Sequence, residues 1–304
     1  MSATGIIKSI DEMATCDGPG SRSLIFLKGC HLKCSWCQNP ELIDPRPEIW
    51  FRKFFCEECG RCVEACPQGA ITMDKDNKFD PQKCDRCFKC VEVCPTKSFE
   101  KVGFLITAEE VFNHVAGFHI FYEGGGGVTL SGGEPLFQYD FSLELLSRCQ
   151  KEGINTAVDT NLCASYERVS KMAGVSNVLL SDIKHMDSAK HKAVTGVPNE
   201  LIMENHIKLN RDYQGEIYVR IPLIPGYNDD YENIRKTAEF IYPLEKIKGV
   251  DLLPFNILPF VKYESLGKEW AHKERKRYSE EYAAELKALI DSYGRFNTTI
   301  GGMR

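Results

Sequence analysis

The stretch Cys30-His31-Leu32-Lys33-Cys34-Ser35-Trp36-Cys37 is a C-x3-C-x2-C run. Three closely spaced thiolates suit an iron–sulfur cubane and leave its fourth iron without a protein ligand. A cubane held by four cysteines passes electrons, whereas one held by three can also bind and reduce a second molecule. Cys16, fourteen residues upstream of Cys30, is the nearest spare thiol. We interpret it as a small buried apolar residue.

A second cysteine system follows the first. It consists of two runs with the spacing C-x2-C-x2-C-x3-C-P, which is that of bacterial two-cluster ferredoxins. In such proteins the fourth cysteine of each run ligates the other cluster. One predicted cluster is therefore held by Cys56, Cys59, Cys62 and Cys94. The other is held by Cys84, Cys87, Cys90 and Cys66.

Zinc and disulfides are the alternative uses of these cysteines. A zinc site needs only four ligands at looser spacing, and it does not predict Pro67 and Pro95, which follow the two runs. Eleven of the fourteen cysteines fall in the segment from Cys30 to Cys94, and the chain opens without the pattern of a secretory leader. The sequence therefore predicts three [4Fe-4S] clusters, two of them in a ferredoxin-like insert at residues 50–105.

Composition limits the classes of protein to which the chain can belong. Its 304 residues, of which 43% are hydrophobic and 27% charged, suit one large domain plus an insert. The formal charge of −5 argues against a nucleic-acid partner. One basic stretch, Lys268 to Arg277, is interpreted as a solvated helix face in preference to a docking surface. No run approaches ~18 apolar residues, so we expect no membrane partner and a cytoplasmic location.

Outside the insert, short β-branched runs alternate with amphipathic stretches, which is typical of parallel strands joined by helices. The predicted strands are Ser23 to Lys28, Val128 to Ser131, Asn155 to Asp159, Val178 to Asp182, Glu216 to Ile224 and Gly249 to Leu253. The predicted helices include one that begins at the capping box Thr107 to Glu110 and one with the apolar stripe Phe137, Phe141, Leu145 and Cys149, ending at Gly153. About six βα units are too few for a closed eight-stranded barrel. The predicted fold is α/β, a partial (β/α)6 barrel of residues 1–49 and 106–304 that carries the ferredoxin-like insert.

Polar residues follow three of the predicted strands, where the active sites of such sheets form. These segments are Ser131-Gly132-Gly133-Glu134-Pro135, Asp159-Thr160-Asn161 and Ser181-Asp182-Ile183-Lys184. The paired glycines would let the backbone approach a ligand closely. One such aspartate alone is more often a helix N-cap, but three polar strand ends beside an open cluster favour a shared site. The run Gly124 to Gly127 lacks the Lys-Ser/Thr of a phosphate loop and is interpreted as a flexible entry loop.

These segments, taken in order, resemble a known family. Its signature is matched by Gly18-Pro19-Gly20-Ser21-Arg22, Phe26, Gly29-Cys30, Cys34, Trp36-Cys37 and Pro40, then by the three strand-end segments and by Arg220-Ile221-Pro222-Leu223-Ile224-Pro225-Gly226. The chain is similar over nearly its whole length to the glycyl-radical enzyme activating enzymes of the radical S-adenosylmethionine superfamily. Its insert is typical of the larger activases, which resemble those serving decarboxylases, dehydratases and C–N or C–S lyases. The pyruvate formate-lyase activase has no such insert.

The resemblance implies a mechanism. A cluster at Cys30, Cys34 and Cys37 would chelate S-adenosylmethionine and reduce it to methionine and a 5′-deoxyadenosyl radical. That radical would remove a hydrogen atom from a backbone glycine in the C-terminal loop of a partner glycyl-radical enzyme. A donor such as flavodoxin or ferredoxin would supply the electron.

The resemblance also implies which residues bind S-adenosylmethionine. Its methionine end would be seated by Gly132, Gly133 and Glu134. Its carboxylate would lie beside Asp159, Thr160, Asp182 and Ile183, with room for a monovalent cation. Positive charge would come from Lys184 and Arg220, and the adenine would be flanked by Trp36 and Gln38. Asn256 stands where some relatives carry a histidine that contacts the nucleoside, and it completes the set.

Two other functions fit parts of the pattern. A radical S-adenosylmethionine enzyme that modifies another peptide or a small molecule usually places its auxiliary cysteines after the barrel, whereas the last cysteine here is Cys163. A ferredoxin-like electron carrier would not need the open cluster or the polar strand ends. The insert clusters themselves have two roles open to them, relay of electrons to the catalytic cluster or bracing of the barrel.

Overall fold

The computed structural model describes residues 2–74, 76, 78–122 and 124–302. In chain order its strands are β1 (Thr4–Ala14), β2 (Arg22–Leu27), β3 (Glu48–Phe51), β4 (Phe99–Val102), β5 (Phe104–Thr107), β6 (Gly127–Gly132), β7 (Asn155–Thr160), β8 (Val178–Asp182), β9 (Glu216–Leu223), β10 (Ile247–Pro254) and β11 (Asn297–Ile300). Its helices are α1 (Arg61–Ala65), α2 (Lys89–Glu92), α3 (Ala108–Ala116), α4 (Tyr139–Lys151), α5 (Tyr166–Ala173), α6 (Ser188–Thr195), α7 (Glu200–Asp212), α8 (Tyr231–Ile241), α9 (Pro259–Ser265) and α10 (Glu280–Asp291). Short 3-10 helices occupy Pro40–Leu42, Lys53–Phe55 and His119–Phe121.

Within the described residues, nine strands form one sheet in the order β11-β10-β9-β8-β7-β6-β2-β1-β5. The strands from β11 to β2 in this order pair in parallel, and β1 and β5 extend one edge by antiparallel pairing. The sheet ends at β11 on one side and at β5 on the other, so it stays open. The predicted α/β fold with a parallel-sheet core is confirmed. Among the described residues, no helix has both the length and the apolar character needed to cross a bilayer.

The structure adds one parallel strand to the six that the sequence predicts. β11 pairs in parallel with β10, from Gly249 opposite Asn297 to Leu252 opposite Ile300. Its sequence is Asn297-Thr298-Thr299-Ile300, with a single aliphatic residue at the end. Hydrophobic periodicity cannot mark so short and polar a strand, which explains its absence from the prediction.

The two predicted helices form, with a change at one end. Thr107 Oγ1 accepts a hydrogen bond from Glu110 N at 3.1 Å, and the Glu110 carboxylate accepts one from Thr107 N at 2.8 Å, so the capping box of α3 is confirmed. The apolar stripe of α4 buries Phe141, Leu145 and Cys149. Phe137, predicted as part of that stripe, lies before α4 and is exposed. Its ring packs near that of His31, with the centroids 5.1 Å apart.

The cysteine-rich segment has a sheet and a core of its own. β3 and β4 pair in antiparallel fashion, from Glu48 opposite Val102 to Phe51 opposite Phe99. The buried core of this segment consists of Ile49, Phe51 and Phe99 from the sheet, together with Cys62, Ile71 and Cys90. Glu48, in β3, forms ion pairs with two lysines of the barrel, Lys28 at 3.1 Å and Lys268 at 2.7 Å. These ion pairs fasten the segment to the barrel.

The stretch from Lys268 to Arg277 is not the helix face that we predicted. It falls between α9 and α10 and contains no helix. Lys268 bonds to Glu48, and His272 Nε2 lies 3.0 Å from Ser35 Oγ in the first cysteine loop. Contacts with distant parts of the chain, which charge patterning does not reveal, therefore set the path of this segment.

Candidate active site

A cavity of about 490 Å³ opens at the carboxyl ends of the parallel strands. It brings together most of the predicted site residues, namely Cys30, Cys34, Trp36, Cys37, Gln38, Gly132, Gly133, Asp159, Thr160, Asp182, Lys184, Arg220 and Asn256. These residues meet because β6, β7, β8 and β9 are successive neighbours in the sheet, so their ends share one edge.

Glu134 and Ile183 were predicted to contact the cofactor, but they lie behind the cavity wall and are 0% and 1% exposed. The Glu134 carboxylate accepts hydrogen bonds from Thr160 Oγ1 at 2.7 Å and from Asn161 N at 2.8 Å. It accepts a third from Leu136 N at 3.0 Å. Burial raises the pKa of Glu134 to about 7, although these hydrogen bonds oppose the rise. Glu134 therefore holds the end of β6 against the end of β7.

The first cysteine loop is held by hydrogen bonds, and its three cysteines are half-buried. Cys37 N donates to Cys34 O at 3.0 Å, and Asn161 Nδ2 lies 3.6 Å from Cys30 Sγ. Burial raises the pKa of the Cys37 thiol to about 12, and it also raises the pKa values of Cys30 and Cys34. A thiolate in such a position is costly unless a cation compensates its charge. This donor set therefore fits a metal cluster.

Gly132 and Gly133 are required by close contacts within the protein. Gly132 has a φ of +99°, and a Cβ there would stand 2.7 Å from Leu27 N. A Cβ on Gly133 would stand 2.2 Å from Gly29 O. We expected these glycines to admit a ligand, and both line the cavity. Because neither glycine has a side chain, the end of β6 can lie against β2 and against Gly29.

Arg220 lies among three carboxylates. Its Nη1 is 2.7 Å from Asp17 Oδ1 and 3.3 Å from Asp159 Oδ2. Its Nε is 3.9 Å from Asp251 Oδ2. Burial disfavours the charged guanidinium, but the carboxylates outweigh it and raise the pKa of Arg220. Burial also raises the pKa of Asp159, and Arg220 opposes that rise.

Lys184 is paired in the same way. Its Nζ donates to Asp182 Oδ2 at 2.6 Å. Burial disfavours the ammonium form, but the Asp182 carboxylate and the nearby Cys34 sulfur raise the pKa of Lys184. The sequence predicted that Lys184 and Arg220 bring positive charge to the cavity. The structure shows that both cations already neutralise acids of the protein.

The predicted nucleoside side of the cavity has an aromatic wall. Trp36 is buried, and its ring centroid is 4.9 Å from that of Tyr227. Gln38 is exposed. Asn256 Oδ1 accepts a hydrogen bond from Leu258 N at 3.0 Å, so part of its bonding capacity serves the local turn.

The sequence did not reveal Asp17, and the interpretation of Cys16 was wrong. Both residues line the cavity, and Cys16 is exposed rather than buried. Arg220 Nη2 donates to Cys16 O at 2.8 Å, across 204 residues of sequence. This contact draws the loop between β1 and β2 to the cavity. The one sequence signal is that Asp17 directly precedes the matching segment that begins at Gly18.

The insert cysteines gather into two groups. A cavity of about 10 Å³ is lined by Cys56, Cys59, Cys62 and Cys94. In the other group, burial and, after it, negative charge on Cys84, Cys87 and Cys66 raise the pKa of Cys90 to about 12. This is the membership that crosswise ferredoxin pairing requires. Among the described residues, no group of His, Cys, Asp and Glu has the geometry of a single-ion site. A cubane with one cysteine per iron does not need such a geometry.

Two family models match the chain. The model of the radical SAM superfamily matches residues 82–241. The model of the 4Fe-4S dicluster domain matches residues 55–98, which contain both ferredoxin runs.

Two curated relatives from Clostridioides difficile are similar over nearly their full lengths. The 4-hydroxyphenylacetate decarboxylase activating enzyme of strain CD196 is 38% identical over 294 residues, which cover 94% of this chain and 93% of the relative. The trans-4-hydroxy-L-proline dehydratase activating enzyme is 39% identical over 302 residues, which cover 98% and 99%. A solved radical SAM methyltransferase from Sphaerobacter thermophilus has a TM-score of 0.56 at 12% identity, over 92% of this chain and 66% of that one. This last likeness shows a shared fold alone.

Proposed function

The chain belongs to the glycyl-radical enzyme activating enzymes of the radical SAM superfamily, and from this we propose that S-adenosylmethionine binds in the cavity beside a [4Fe-4S] cluster held by Cys30, Cys34 and Cys37. The protein is an activase, its cofactors include iron–sulfur clusters and S-adenosylmethionine, and its partner is a glycyl-radical enzyme. Cys30, Cys34 and Cys37 would hold the cluster, which would supply the electron for reductive cleavage of a carbon–sulfur bond of S-adenosylmethionine to methionine and a 5′-deoxyadenosyl radical, and this radical would take a hydrogen atom from a backbone glycine of the partner.

One observation carries the placement of the cofactor. The three cysteines of the first loop share their cavity with more carboxylates than cations, since Asp17, Asp159 and Asp182 face Arg220 and Lys184. The sulfonium and α-ammonium groups of S-adenosylmethionine are cationic, and burying them is costly without opposite charge. The excess of acid supports binding of this cofactor here, and it also supports a monovalent cation near Asp159, Thr160 and Asp182.

The carboxylates are held in place by the protein. Asp159 Oδ2 accepts from Ser131 Oγ at 2.9 Å and from Arg220, and Asp182 is bound by Lys184. Because the protein itself supplies these bonds, little ordering of the carboxylates is left for the cofactor to impose. We place the methionine end at Gly132 and Gly133, the adenine near Trp36 and Gln38, and the nucleoside near Asn256. Glu134 acts behind these groups as a support of the strand ends, and Ile183 N donates to Arg220 O at 2.9 Å.

We further infer that the chain carries three [4Fe-4S] clusters, one at the catalytic loop and two in an insert of residues 50–105, with residues 1–49 and 106–304 forming the barrel. The crosswise grouping of the insert cysteines and the separate core around β3 and β4 support an insert, and its first strand, β3, already begins at Glu48. The insert clusters relay electrons from a donor such as flavodoxin or ferredoxin. The setting is anaerobic and cytoplasmic, with neither nucleic acid nor a membrane as a partner.

The proposal is tested with the full chain, reconstituted anaerobically with iron and sulfide. With reductant, S-adenosylmethionine and the glycyl-radical enzyme encoded nearest to it, the protein should form 5′-deoxyadenosine and a glycyl-radical doublet in the EPR spectrum. Cys30→Ala should abolish both signals. Formation of 5′-deoxyadenosine at full rate by Cys30→Ala would contradict the assignment of the catalytic cluster.

A further inference from the structure

Lys78 is a buried cation without a partner. Lys78 is 2% exposed, and among the described residues no atom accepts a hydrogen bond from its Nζ. An ammonium group in this condition is costly, because it has lost water and gained no opposite charge. Among the described residues, no negative group is bonded to Lys78 Nζ, so the position suits an anionic group that binds there.

Two acids of the same segment are paired with other lysines. Asp76 binds Lys53, and Asp80 lies 3.4 Å from Lys83 Nζ. Lys78 is fixed by its backbone, since its carbonyl oxygen accepts from Thr72 N at 3.0 Å beside the bridge between Ile71 and Phe79. The backbone from which the Lys78 side chain extends into the insert is therefore fixed.

Lys78 faces one group of cysteines. It lines the small cavity that Cys56, Cys59, Cys62 and Cys94 also line. Two independent observations, the shared cavity and the unpartnered ammonium, therefore point to a negative ligand held by these four cysteines.

The surroundings of the other group are different. Asp85 stands next to Cys84, and its carboxylate accepts from Cys87 N at 3.1 Å. Arg86 also approaches this group, but its Nη2 is bound to Asp44 at 2.7 Å. Arg86 Nη1 is buried without a hydrogen-bond partner among the described residues, but the guanidinium is already paired with Asp44. Lys78 has no such pairing, and the two glutamates that line its cavity, Glu57 and Glu58, are exposed.

We propose that Lys78 is the counter-charge of an iron–sulfur cluster at Cys56, Cys59, Cys62 and Cys94, and that it makes this cluster easier to reduce than the one at Cys84, Cys87, Cys90 and Cys66. The inference rests on the proposed function only for the presence of clusters in the insert. Reduction adds one electron to a cluster, and a fixed positive charge nearby stabilises the more negative state. Net charge and hydrogen bonding are among the factors that set cluster potentials. Lys78 would therefore fix the order of the two insert potentials.

The test is a redox titration of the reconstituted full-length protein, followed by EPR, with the signal of each insert cluster assigned through Cys59→Ala and Cys87→Ala. Lys78→Met should lower the equilibrium constant for reduction of the Cys59 cluster by about tenfold or more, and tenfold is 59 mV for a one-electron couple. Lys78→Arg should keep the wild-type value. Lys89→Met, which removes an exposed lysine next to Cys90, should change neither signal.

Iron content separates the outcomes. An unchanged potential in iron-loaded Lys78→Met, or a shift confined to the Cys87 cluster, would overturn the inference and leave the proposed function intact. If Lys78→Met loses about four irons while Lys78→Arg keeps them, the counter-charge role is supported. Loss in both variants would show that Lys78 only packs the insert, and a wild-type insert without iron would refute the proposed cofactor set itself.

Discussion

Arg86 of the second ferredoxin run donates from Nη2 to Asp44 Oδ2 at 2.7 Å, and Asp44 lies seven residues after Cys37. Burial opposes ionisation of Asp44, but hydrogen bonds from Arg46 and Arg86 outweigh it and hold its pKa well below the usual range. The same pair connects two cluster loops. Arg86 N donates to Cys84 Sγ at 3.3 Å, and the carbonyl oxygen of Ile43, next to Asp44, accepts from Cys30 N at 3.2 Å. A short bonded path therefore links Cys84, a proposed ligand of an insert cluster, to Cys30, a proposed ligand of the catalytic cluster.

Breaking this pair should slow delivery of electrons without removing a cluster. We expect Arg86→Met to lower the rate of 5′-deoxyadenosine formation several-fold with a protein reductant, at unchanged iron content. Arg46→Met is the matched control, because Arg46 binds the same carboxylate but is 71% exposed and belongs to the barrel side. Equal rates in the two variants would show that the path through Arg86 carries no electrons.

The two insert clusters can be tested together for relay against bracing. The double variant Cys59→Ala and Cys87→Ala should slow turnover with a protein reductant more than turnover with dithionite, because a small reductant can reach the catalytic cluster directly. The ion pairs of Glu48 with Lys28 and Lys268 give the insert a structural role as well. Slowing by the same factor with both reductants would assign the clusters to that bracing role.

The catalytic cluster should be independent of the insert clusters. Three cubanes contain about twelve irons per chain, and Cys30→Ala should remove about four of them. The insert has its own core around Phe99 and Ile71, so it should remain loaded. Iron and sulfide analysis after anaerobic reconstitution gives the answer. Loss of all clusters at once would mean that the sites assemble as one unit.

The sequence predicts those parts of the molecule in which function depends on local spacing. The cysteine runs and the polar strand ends are of this kind, because three thiolates on one loop or acids at adjacent strand ends meet by chain geometry alone. The environment of Arg220 could not be predicted, since Asp17 reaches it across 203 residues. Glu134 illustrates the same limit. Its position in the sequence suggests a ligand contact, whereas its three hydrogen bonds make it a buried support.

His206 should make the protein less stable in mild acid. It is buried behind Asp182, its Nε2 bonds to Ser181 Oγ, and its Nδ1 lies 2.9 Å from Ile202 O. Burial lowers its pKa from 6.5 to about 4. The unfolded chain therefore takes up a proton that the folded chain refuses. Stability from this group is complete above about pH 6.5 and falls as the pH decreases towards about 4, by an amount on the order of 2–3 kcal/mol.

Denaturant unfolding at pH 7.5 and pH 5.5, under anaerobic conditions, measures this effect. His206→Gln should reduce the loss of stability between the two pH values, although the variant is less stable at both. His119→Gln, which changes an exposed histidine, should retain the wild-type difference. A wild-type difference that survives in His206→Gln would assign the acid sensitivity to other groups.

Binding of S-adenosylmethionine should depend on the strand-end acids and not on the cysteines alone. Asp159→Ala removes one carboxylate from Arg220 and so leaves that guanidinium less balanced, in a cavity that must accept a cationic cofactor. We expect the variant to keep its iron and to bind the cofactor about ten- to a few hundredfold more weakly, the order expected for ~1.5–3 kcal/mol from one charge-assisted contact. Asp182→Ala should act similarly, because it frees Lys184. Asp251→Asn separates the two causes, since it also removes a carboxylate charge from beside Arg220 but Asp251 does not line the cavity, and it should weaken binding less than Asp159→Ala does. Equilibrium binding to the cluster-loaded proteins provides the measurement, and wild-type affinity in both alanine variants would place the cofactor elsewhere.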